Sequence, residues 1–336
     1  MSFTASGIPI HTRQLSVTLR VACEGRSTFA AYVLDLRKRG VVPVGGDLQG
    51  TGIIHQMHLD GTVDEERLVF ETIQARMPTV AFEPSASSEG ESCRDRIDRV
   101  DHLAGTPLDA SYSRRVGAQI GGALGCSHVL TLAHLVGPTI AWAIGRERAL
   151  HDPAVPRALG ERYYRRDLTV DGFVADGALE LVGQMSDLHM REQASCTTAQ
   201  DRLAEQLEVR MRGRLGLENM LLAEIELWER RRDLATLDSA EWRSREDRAA
   251  QVAGASLASG VSARLLREFG DPGDDRPLLD ALLMLAPATI QCFASYRDTW
   301  TQLRGATSSE TGGFPDSCYM WRRDGAFHRR RERQMP

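Results

Sequence analysis

The chain has 336 residues, of which 42% are hydrophobic and 26% charged, and its formal net charge is −5. This composition is typical of a globular protein with about two domains, and it excludes a disordered, collagen-like or membrane-embedded chain. The near balance of acidic and basic residues provides no field that would attract nucleic acid or an anionic membrane, so neither is expected as a partner.

The N-terminal segment has no basic stretch followed by an apolar one, and no uninterrupted apolar run reaches about 18 residues. We therefore expect a cytoplasmic protein without a membrane span. The six cysteines show no paired spacing and stand at positions 23, 93, 126, 196, 292 and 318. In the cytoplasm they are reduced, so a cysteine with a special role is a ligand or a nucleophile rather than half of a disulfide.

Two parts of the chain resemble each other. Residues 93–113 and 242–262 share eight identical residues of 21 at a constant offset of 149, and an offset of 152 relates the segments upstream. Two nearly equal offsets predict a tandem duplication. We expect a motif-bearing copy at 11–147, a linker at 148–157, and a degenerate copy at 158–330 that also carries a C-terminal motif segment. The duplication predicts an internal pseudo-dimer, with a further homo-oligomer left open.

Each copy has the same order of patterns. Segments of alternating polarity come first, which predicts an antiparallel meander of β-strands. Residues 128–147 then carry apolar positions at helical spacing, with a kink expected at Gly137-Pro138. The predicted fold class is therefore α+β: two homologous copies, each an antiparallel β-meander followed by helices packed on one face.

The two copies differ in their chemistry-bearing residues. Positions that keep their character in both copies are interpreted as scaffold, and positions with reactive groups in one copy only are candidate site residues. The first copy carries four such residues, which face apolar, aromatic, acidic and proline positions in the second: His55 faces Leu207, Cys93 faces Trp242, Cys126 faces Asp275, and His128 faces Pro277.

His55 lies in a predicted strand, in a row with residues 53, 57 and 59, and the apolar character of Met57 and Leu59 indicates that this row faces the core. The opposite row, which includes His58, is expected to be solvated. Two interpretations of His55 remain open: a hydrogen-bonded core histidine, or a catalytic or ligand histidine.

Cys126 follows a glycine-rich turn at 121–125 and precedes the long predicted helix, with His128 two residues further on. The positive end of a helix dipole would stabilise a thiolate or a bound anion at this place. A Cys-x-His pair at a helix start suits a nucleophile with its base, or two ligands of one metal ion. A buried thiol beside a histidine of the first turn is the alternative.

Cys93 and Cys318 are further candidate ligands. The segment around Cys318 has no counterpart after the first copy, and Cys318 beside Asp316 could complete the first-copy site by folding back across it. The alternative is a C-terminal strand that packs Tyr319 and Trp321.

At these residues the sequence resembles a bacterial family known as domain of unknown function 2889. The resemblance rests on the following segments: Gly52-Ile-Ile-His55-Gln-Met57, Cys93 with Leu103-Ala-Gly105, Gly121-Gly122-Ala-Leu-Gly125-Cys126-Ser127-His128-Val129, and Asp316-Ser-Cys318 with Arg323-Asp-Gly325. Ser127 stands where the family has threonine, and Tyr319 where it tends to have histidine. The resemblance implies that the first-copy cluster is the family's site, but it names no reaction.

The residues favour an enzyme, a hydrolase or lyase with Cys126, His128 and His55 as catalytic groups and a small carbonyl, aromatic or acyl substrate. The same three residues, with Cys93 and Cys318, could instead hold Zn or Fe. A metal or iron–sulfur carrier is the alternative function, by analogy of fold pattern alone, and a non-catalytic dimer-like binding protein is another. The sequence has no dinucleotide fingerprint or phosphate loop, so neither NAD nor ATP is expected.

Overall fold

The structure of the protein is a computed structural model. It describes five stretches of the chain: 5–44, 47–217, 220–258, 260–296 and 315–334. Residues 297–314 of the predicted second copy therefore lie outside the described residues.

Eleven strands are numbered in chain order within these stretches. They are β1 (Ile8–Cys23), β2 (Arg26–Arg37), β3 (Val42–Val44), β4 (Asp47–Gln49), β5 (Gly52–Asp64), β6 (Val69–Thr79), β7 (Arg162–Ala175), β8 (Ala178–Met190), β9 (Leu203–Gly216), β10 (Leu222–Arg232) and β11 (Arg243–Ser244).

Seven α-helices are numbered in the same way within the described stretches, and two of them lie between β6 and β7. They are α1 (Tyr112–Ile120), α2 (Ser127–Leu150), α3 (Glu246–Val252), α4 (Val261–Phe269), α5 (Arg276–Leu283), α6 (Leu285–Ser295) and α7 (Ala326–Gln334). Short 3₁₀ turns lie between them, among them Ile97–Leu103, Gly122–Leu124 and Tyr319–Trp321.

The chain forms two compact units, and each is discontinuous in sequence. Unit 1 consists of Met1–Glu24 and Thr139–Cys292, and unit 2 consists of Gly25–Pro138 and Phe293–Pro336. These units follow contacts in space, so their limits differ from the limits of the sequence copies. The copies at 11–147 and 158–330 stay a prediction, and α2 extends to Leu150, into the predicted linker.

Unit 1 contains an antiparallel sheet in the order β11-β10-β9-β8-β7-β1. Alternate residues of β7 and β9 are buried, as the period of two requires for a sheet with one face against a core. Helix α3 contacts β10, and α5 contacts both β8 and β9. The apolar residues of these helices supply the core on that side.

A charged network is buried in unit 1. The Arg166 guanidinium donates two hydrogen bonds of 2.6 Å to the two carboxylate oxygens of Asp187, and it also contacts Asp280. The Thr139 hydroxyl accepts a bond of 2.6 Å from Arg166, and the Tyr164 hydroxyl donates one of 2.9 Å to Asp187. Such bidentate pairing offsets part of the cost of removing these charges from water.

Unit 2 contains the antiparallel strands β2, β5 and β6, in that order, and the small hairpin β3–β4. The 3₁₀ turn Ile97–Leu103 contacts both β6 and α1. Helix α2 begins in this unit, where its first turns contribute the buried residues Val129, Leu132 and Val136.

Tyr112 joins α1 to α2 within unit 2. Its side chain is fully buried, and its hydroxyl donates a hydrogen bond of 2.7 Å to the Ala133 carbonyl of α2. A Cβ atom at Gly137 would lie 2.4 Å from Cζ of the Tyr112 ring, so only glycine leaves room for the ring there. This contact fixes the N-terminal half of α2, which carries the candidate site residue His128.

The predicted fold class is confirmed at the level of a mixed structure with antiparallel strands and several helices. Two series of four long strands, each followed by helices, stand in the chain order. The duplication itself stays a prediction.

Two helical stretches are long and apolar enough to cross a membrane, by length and composition alone: Ser127–Leu150 and Gly273–Ser295. Of their most apolar windows, 61% and 67% is buried inside the structure, and core helices of globular proteins meet the same criteria. The expectation of a cytoplasmic protein without a membrane span stays a prediction.

The Tyr112–Gly137 contact predicts that glycine-to-alanine substitutions at two places in α2 change the stability of the protein in opposite directions. Gly137→Ala should lower the free energy of unfolding by about 1–3 kcal/mol, because the added methyl overlaps the Tyr112 ring. Gly145→Ala is the control, since a Cβ there meets nothing within 4 Å. It should raise the free energy of unfolding by up to ~1 kcal/mol through helix propensity. Chemical denaturation measures both, and a stabilising Gly137→Ala would contradict the packing.

His189 predicts a loss of stability in acid. The ring is buried in unit 1 between Trp142 and Tyr164, at centroid distances of 5.3 and 4.9 Å. Burial and then nearby arginines, first Arg146, lower the pKa of His189 to about 3. The unfolded chain binds this proton near the usual pKa of about 6.5, so stability is lost as the pH falls from 6.5 toward 3.

The variant His189→Phe keeps a ring in place and removes the titration. Its free energy of unfolding should fall less steeply between pH 6.5 and 4 than that of the wild type, by a slope equivalent to about one proton. Denaturation curves across this pH range measure the slope. Equal slopes for the two proteins would show that His189 does not titrate on unfolding.

Candidate functional site

The candidate site in unit 2 begins with a carboxylate in an apolar row of β2. Alternate residues of this strand are buried, and Asp35 follows Ala31 and Val33 on the buried face. Asp35 is 0% exposed and pairs directly with His55 of β5 in the antiparallel register. Directly opposite residues bring their Cβ atoms to about 5 Å, so the register places this histidine against the carboxylate.

A β-bulge adjoins the pair. Asp35 pairs with His55, but Leu36 pairs with Ile53, so Ile54 is an extra residue on β5. The predicted buried row is confirmed for His55, Met57 and Leu59, all of them buried. It is wrong for Ile53, which is 48% exposed because the bulge reverses the alternation at that point.

The start of α2 supplies the other half of the site. The Leu130 N–H donates a bond of 2.9 Å to the Cys126 carbonyl, so Cys126 is the residue that precedes the first helical turn. The turn before it requires glycine: Gly122 has a φ of +54°, and a Cβ at Gly125 would lie 2.7 Å from the Ile120 carbonyl oxygen. The predicted turn and helix start are therefore observed.

Both His55 and His128 approach the Asp35 carboxylate, and Cys126 approaches the His128 ring. The His128 Nε2 atom lies 3.4 Å from Asp35 Oδ2, and the His55 Nδ1 atom lies 3.9 Å from the same oxygen. The two imidazole rings stack with centroids 3.7 Å apart and planes inclined by 28°. On the other side of the His128 ring, Nδ1 lies 3.8 Å from Cys126 Sγ.

This arrangement has two chemical capacities. The two nitrogens of the His128 ring face a thiol and a carboxylate, which is the order of nucleophile, base and orienting group. In addition, Asp35, His55 and His128 each offer a ligand atom, and these three atoms lie within 4.8 Å of one another among buried side chains. Two imidazoles and one carboxylate are a donor set for divalent transition metals.

Cys93 and Cys318 lie in the same neighbourhood but outside that group. Burial raises the pKa of the Cys93 thiol well above its usual value, and the charges of Cys126 and Cys318 raise it further. Burial also raises the pKa of Cys318. Both side chains are therefore thiols at neutral pH. The structure brings all three cysteines near each other, and His128 is the imidazole that contacts Cys126.

The C-terminal segment, residues 315–334, reaches the glycine-rich turn. The Tyr319 N–H donates a bond of 2.8 Å to the Gly125 carbonyl, directly beside Cys126. The segment forms a 3₁₀ turn at Tyr319–Trp321 and helix α7, where a strand was the alternative. The Arg322 guanidinium lies over the Tyr319 ring, 3.9 Å from its centroid, and pairs with Glu91.

Aromatic packing holds this segment in unit 2. Trp321 and Phe327 both pack against Phe82, with ring centroids 5.8 and 4.7 Å away. The Phe82 carbonyl in turn accepts a bond of 3.2 Å from the Cys93 N–H. Phe82 therefore contacts both the segment that carries Cys318, through Trp321, and the backbone of Cys93.

Asp35 is the site residue that the sequence did not reveal. At the offset of 152 its partner is Asp187, and a residue type that both predicted copies share indicates scaffold. The available signal was polarity: Asp35 is an acid on the apolar face of a strongly alternating strand. A buried acid in such a row requires a partner, and His55 follows on the next long strand.

The positions in unit 1 that the predicted duplication pairs with the site residues serve packing and charge pairing. Asp187 pairs in register with Leu207, and Arg166 holds its carboxylate. The Trp242 ring lies under the guanidinium of Arg210, 4.4 Å from its centroid. Asp275 accepts hydrogen bonds from the guanidinium groups of two arginines. These positions carry no thiol or imidazole.

Comparison with known proteins finds one match. The family model described as "Protein of unknown function (DUF2889)" covers residues 11–141, which include Asp35, His55, Cys126 and His128. No curated protein and no solved structure matches the chain. The resemblance inferred from the sequence motifs is confirmed over residues 11–141, which match this family model.

Proposed function

We propose that this protein is a hydrolase or lyase that attacks a small carbonyl or acyl substrate with the thiolate of Cys126. The observation that carries the proposal is the position of the His128 ring between Cys126 Sγ at 3.8 Å and Asp35 Oδ2 at 3.4 Å. Thiol, imidazole and carboxylate in this order form the constellation of nucleophilic thiol enzymes on unrelated folds.

Each group has a distinct role in this proposal. His128 accepts the Cys126 proton at Nδ1, because that nitrogen faces the sulfur. Its Nε2–H then donates toward Asp35, which keeps the ring in the tautomer whose Nδ1 is free to accept. The buried carboxylate also stabilises the imidazolium that forms. The distances are longer than tight hydrogen bonds, as is common in such sites before substrate binds.

The start of α2 favours the charged states of the reaction. The first N–H groups of a helix have no partner within the helix, and together with the helix dipole they stabilise negative charge. Cys126 directly precedes these N–H groups. They support a thiolate before the reaction and the oxyanion of a tetrahedral intermediate during it.

The hydrolytic reaction balances without a further reagent. The sulfur of Cys126 forms a bond to the carbonyl carbon, and the leaving group departs with the proton that His128 had taken. Water then attacks the thioester, with His128 accepting its proton, and the carboxylic acid leaves as the thiol is restored. The net reaction consumes one water for each acyl bond cleaved.

His55 acts as a positioning residue for the base. Its ring stacks on His128 with a centroid distance of 3.7 Å, so it limits rotation of the base about its side-chain bonds. Its Nδ1 atom also faces Asp35. A base that is already oriented lowers the entropic cost of reaching the transition state.

Apolar residues beside the reactive groups support an apolar substrate. Leu124, two residues before Cys126, is 41% exposed. Val129 is buried in the first turn of α2. A small aromatic or aliphatic acyl group suits this composition.

Alkylation kinetics test the thiol–imidazole pair. Cys126 should react with iodoacetamide at pH 7 at least about tenfold faster than Cys93 and Cys318, because burial keeps these two protonated. His128→Asn should slow the labelling of Cys126 by a similar factor, because the variant lacks the base. Peptide mass spectrometry after timed quenching measures each rate.

The labelling experiment includes a control in unit 1. Cys196 is half-buried there and has no role in the site. Its labelling rate should be equal in the wild type and in His128→Asn. If Cys126 reacts no faster than Cys196, the proposed nucleophile is wrong.

A second prediction concerns turnover and the carboxylate. With a panel of small activated esters and thioesters, the peptide that contains Cys126 should gain the mass of the acyl group. Cys126→Ser should abolish this adduct, and Asp35→Asn should lower turnover by two or more orders of magnitude, because the amide disfavours the productive tautomer of His128. Unchanged turnover in Asp35→Asn would show that Asp35 has no role in the reaction.

A further inference from the structure

His55 extends the Asp35–His128 pair to a group of three ligand-type side chains. Within the described stretches, these three residues form a group whose ligand atoms all lie within 4.8 Å of one another. All three side chains are buried: Asp35 is 0% exposed, and His55 and His128 are each 7% exposed. Two strands and a helix start therefore direct three ligand atoms to one buried point.

The separations suit a metal ion. Nitrogen and oxygen ligands lie about 2.0–2.2 Å from Zn²⁺, so two ligands of one ion are separated by roughly 3–3.5 Å. The distance from His128 Nε2 to Asp35 Oδ2 is 3.4 Å, within that range. The distance from His55 Nδ1 to the same oxygen is 3.9 Å, so the His55 ring must turn about its side-chain bonds to bring this nitrogen into that range.

We propose that Asp35, His55 and His128 form a binding site for one divalent first-row transition metal ion. Asp35 supplies Oδ2, His55 supplies Nδ1 and His128 supplies Nε2. Two neutral imidazoles and one carboxylate leave a net positive charge on the ion and coordination positions open for water or substrate. This inference rests on the same side chains as the proposed function but does not depend on the nucleophilicity of Cys126.

Metal binding and the thiol mechanism exclude each other at one atom. The Nε2 atom of His128 either carries a proton toward Asp35 or binds a metal ion, because its single in-plane position serves one of the two. A metal ion would also occupy Asp35 Oδ2, the oxygen that orients the base. The metal-bound chain is therefore a separate state of the site.

In unit 1, the predicted duplication pairs Asp35 with Asp187, which has no candidate site around it. Asp187 is also 0% exposed, but Leu207 stands opposite it in the register. The Arg166 guanidinium supplies the compensating positive charge through two bonds of 2.6 Å. Arg166 therefore compensates the buried carboxylate of unit 1, as we propose that a metal ion does in unit 2. Leu207 shows that leucine fits opposite such a carboxylate.

Metal titration of the full chain tests the proposal. Protein freed of metal with a chelator is titrated with Zn²⁺ and Co²⁺, and the bound metal is measured by equilibrium dialysis and elemental analysis. One equivalent should bind to the wild type. His55→Leu, the residue found at the unit 1 position, should weaken binding at least tenfold, since even indirect partners of metal ligands contribute about 10–100-fold. The melting temperature shows that the variant is folded.

His58→Leu is the matched control. His58 lies three residues further along β5, where it contacts Gln56 through a bond of 3.1 Å and stands outside the group of three. Its substitution should leave the affinity for Zn²⁺ unchanged. Equal weakening in the two variants, unchanged affinity in His55→Leu, or no binding to the wild type would each overturn the proposed site.

Cys126→Ser separates the two proposals. This variant should bind Zn²⁺ as the wild type does, and the Co²⁺ complex of the wild type should lack a thiolate charge-transfer band. If Cys126 is unreactive while His55→Leu still weakens metal binding, the proposed thiol function fails and the metal site stands. A thiolate band, or loss of binding in Cys126→Ser, would overturn the ligand set of Asp35, His55 and His128.

Discussion

The candidate site depends on the burial of one carboxylate. Asp35 is removed from water on the inner face of β2, and a buried charge is costly unless other groups compensate it. Two imidazoles converge on one of its oxygens, one from the neighbouring strand and one from the start of α2. The carboxylate thus determines how His55 and His128 are oriented, and the His128 ring in turn faces Cys126. The proposed thiol mechanism and the proposed metal site both use that oxygen.

The two units solve the same electrostatic problem in different ways. In unit 1 the buried Asp187 is held by Arg166, whose guanidinium is always charged and matches a carboxylate in shape. A guanidinium in that place neither exchanges a proton nor binds a metal ion near neutral pH. In unit 2 imidazoles stand beside Asp35, and imidazole can exchange a proton or bind a metal ion. The difference between a scaffold and a reactive site is therefore a difference in the partners of one carboxylate.

Much of the fold and part of the site could be predicted from the sequence. Alternation located β2 and β5, helical spacing located α2, and the glycine-rich turn located Cys126 and His128. Asp35 could not be found in this way, because the comparison of copies treats an acid present in both as scaffold, and its role depends on the partner. The bulge at Ile54 was equally hidden, since uniform alternation assumes an unbroken register. The division into compact units also differs from the division into sequence copies. The two segments of unit 2 are separated in the sequence by the whole of Thr139–Cys292.

This interruption has a consequence for how the protein is made. Residues 315–334 pack against Phe82 and the turn before Cys126, yet they are synthesised after all of unit 1. A growing chain holds Asp35, His55 and His128 on the early part of unit 2 long before the segment with Cys318 leaves the ribosome. Contacts so distant in sequence close slowly because of the entropy of the intervening loop. The C-terminal segment therefore completes unit 2 last, in an order that synthesis imposes.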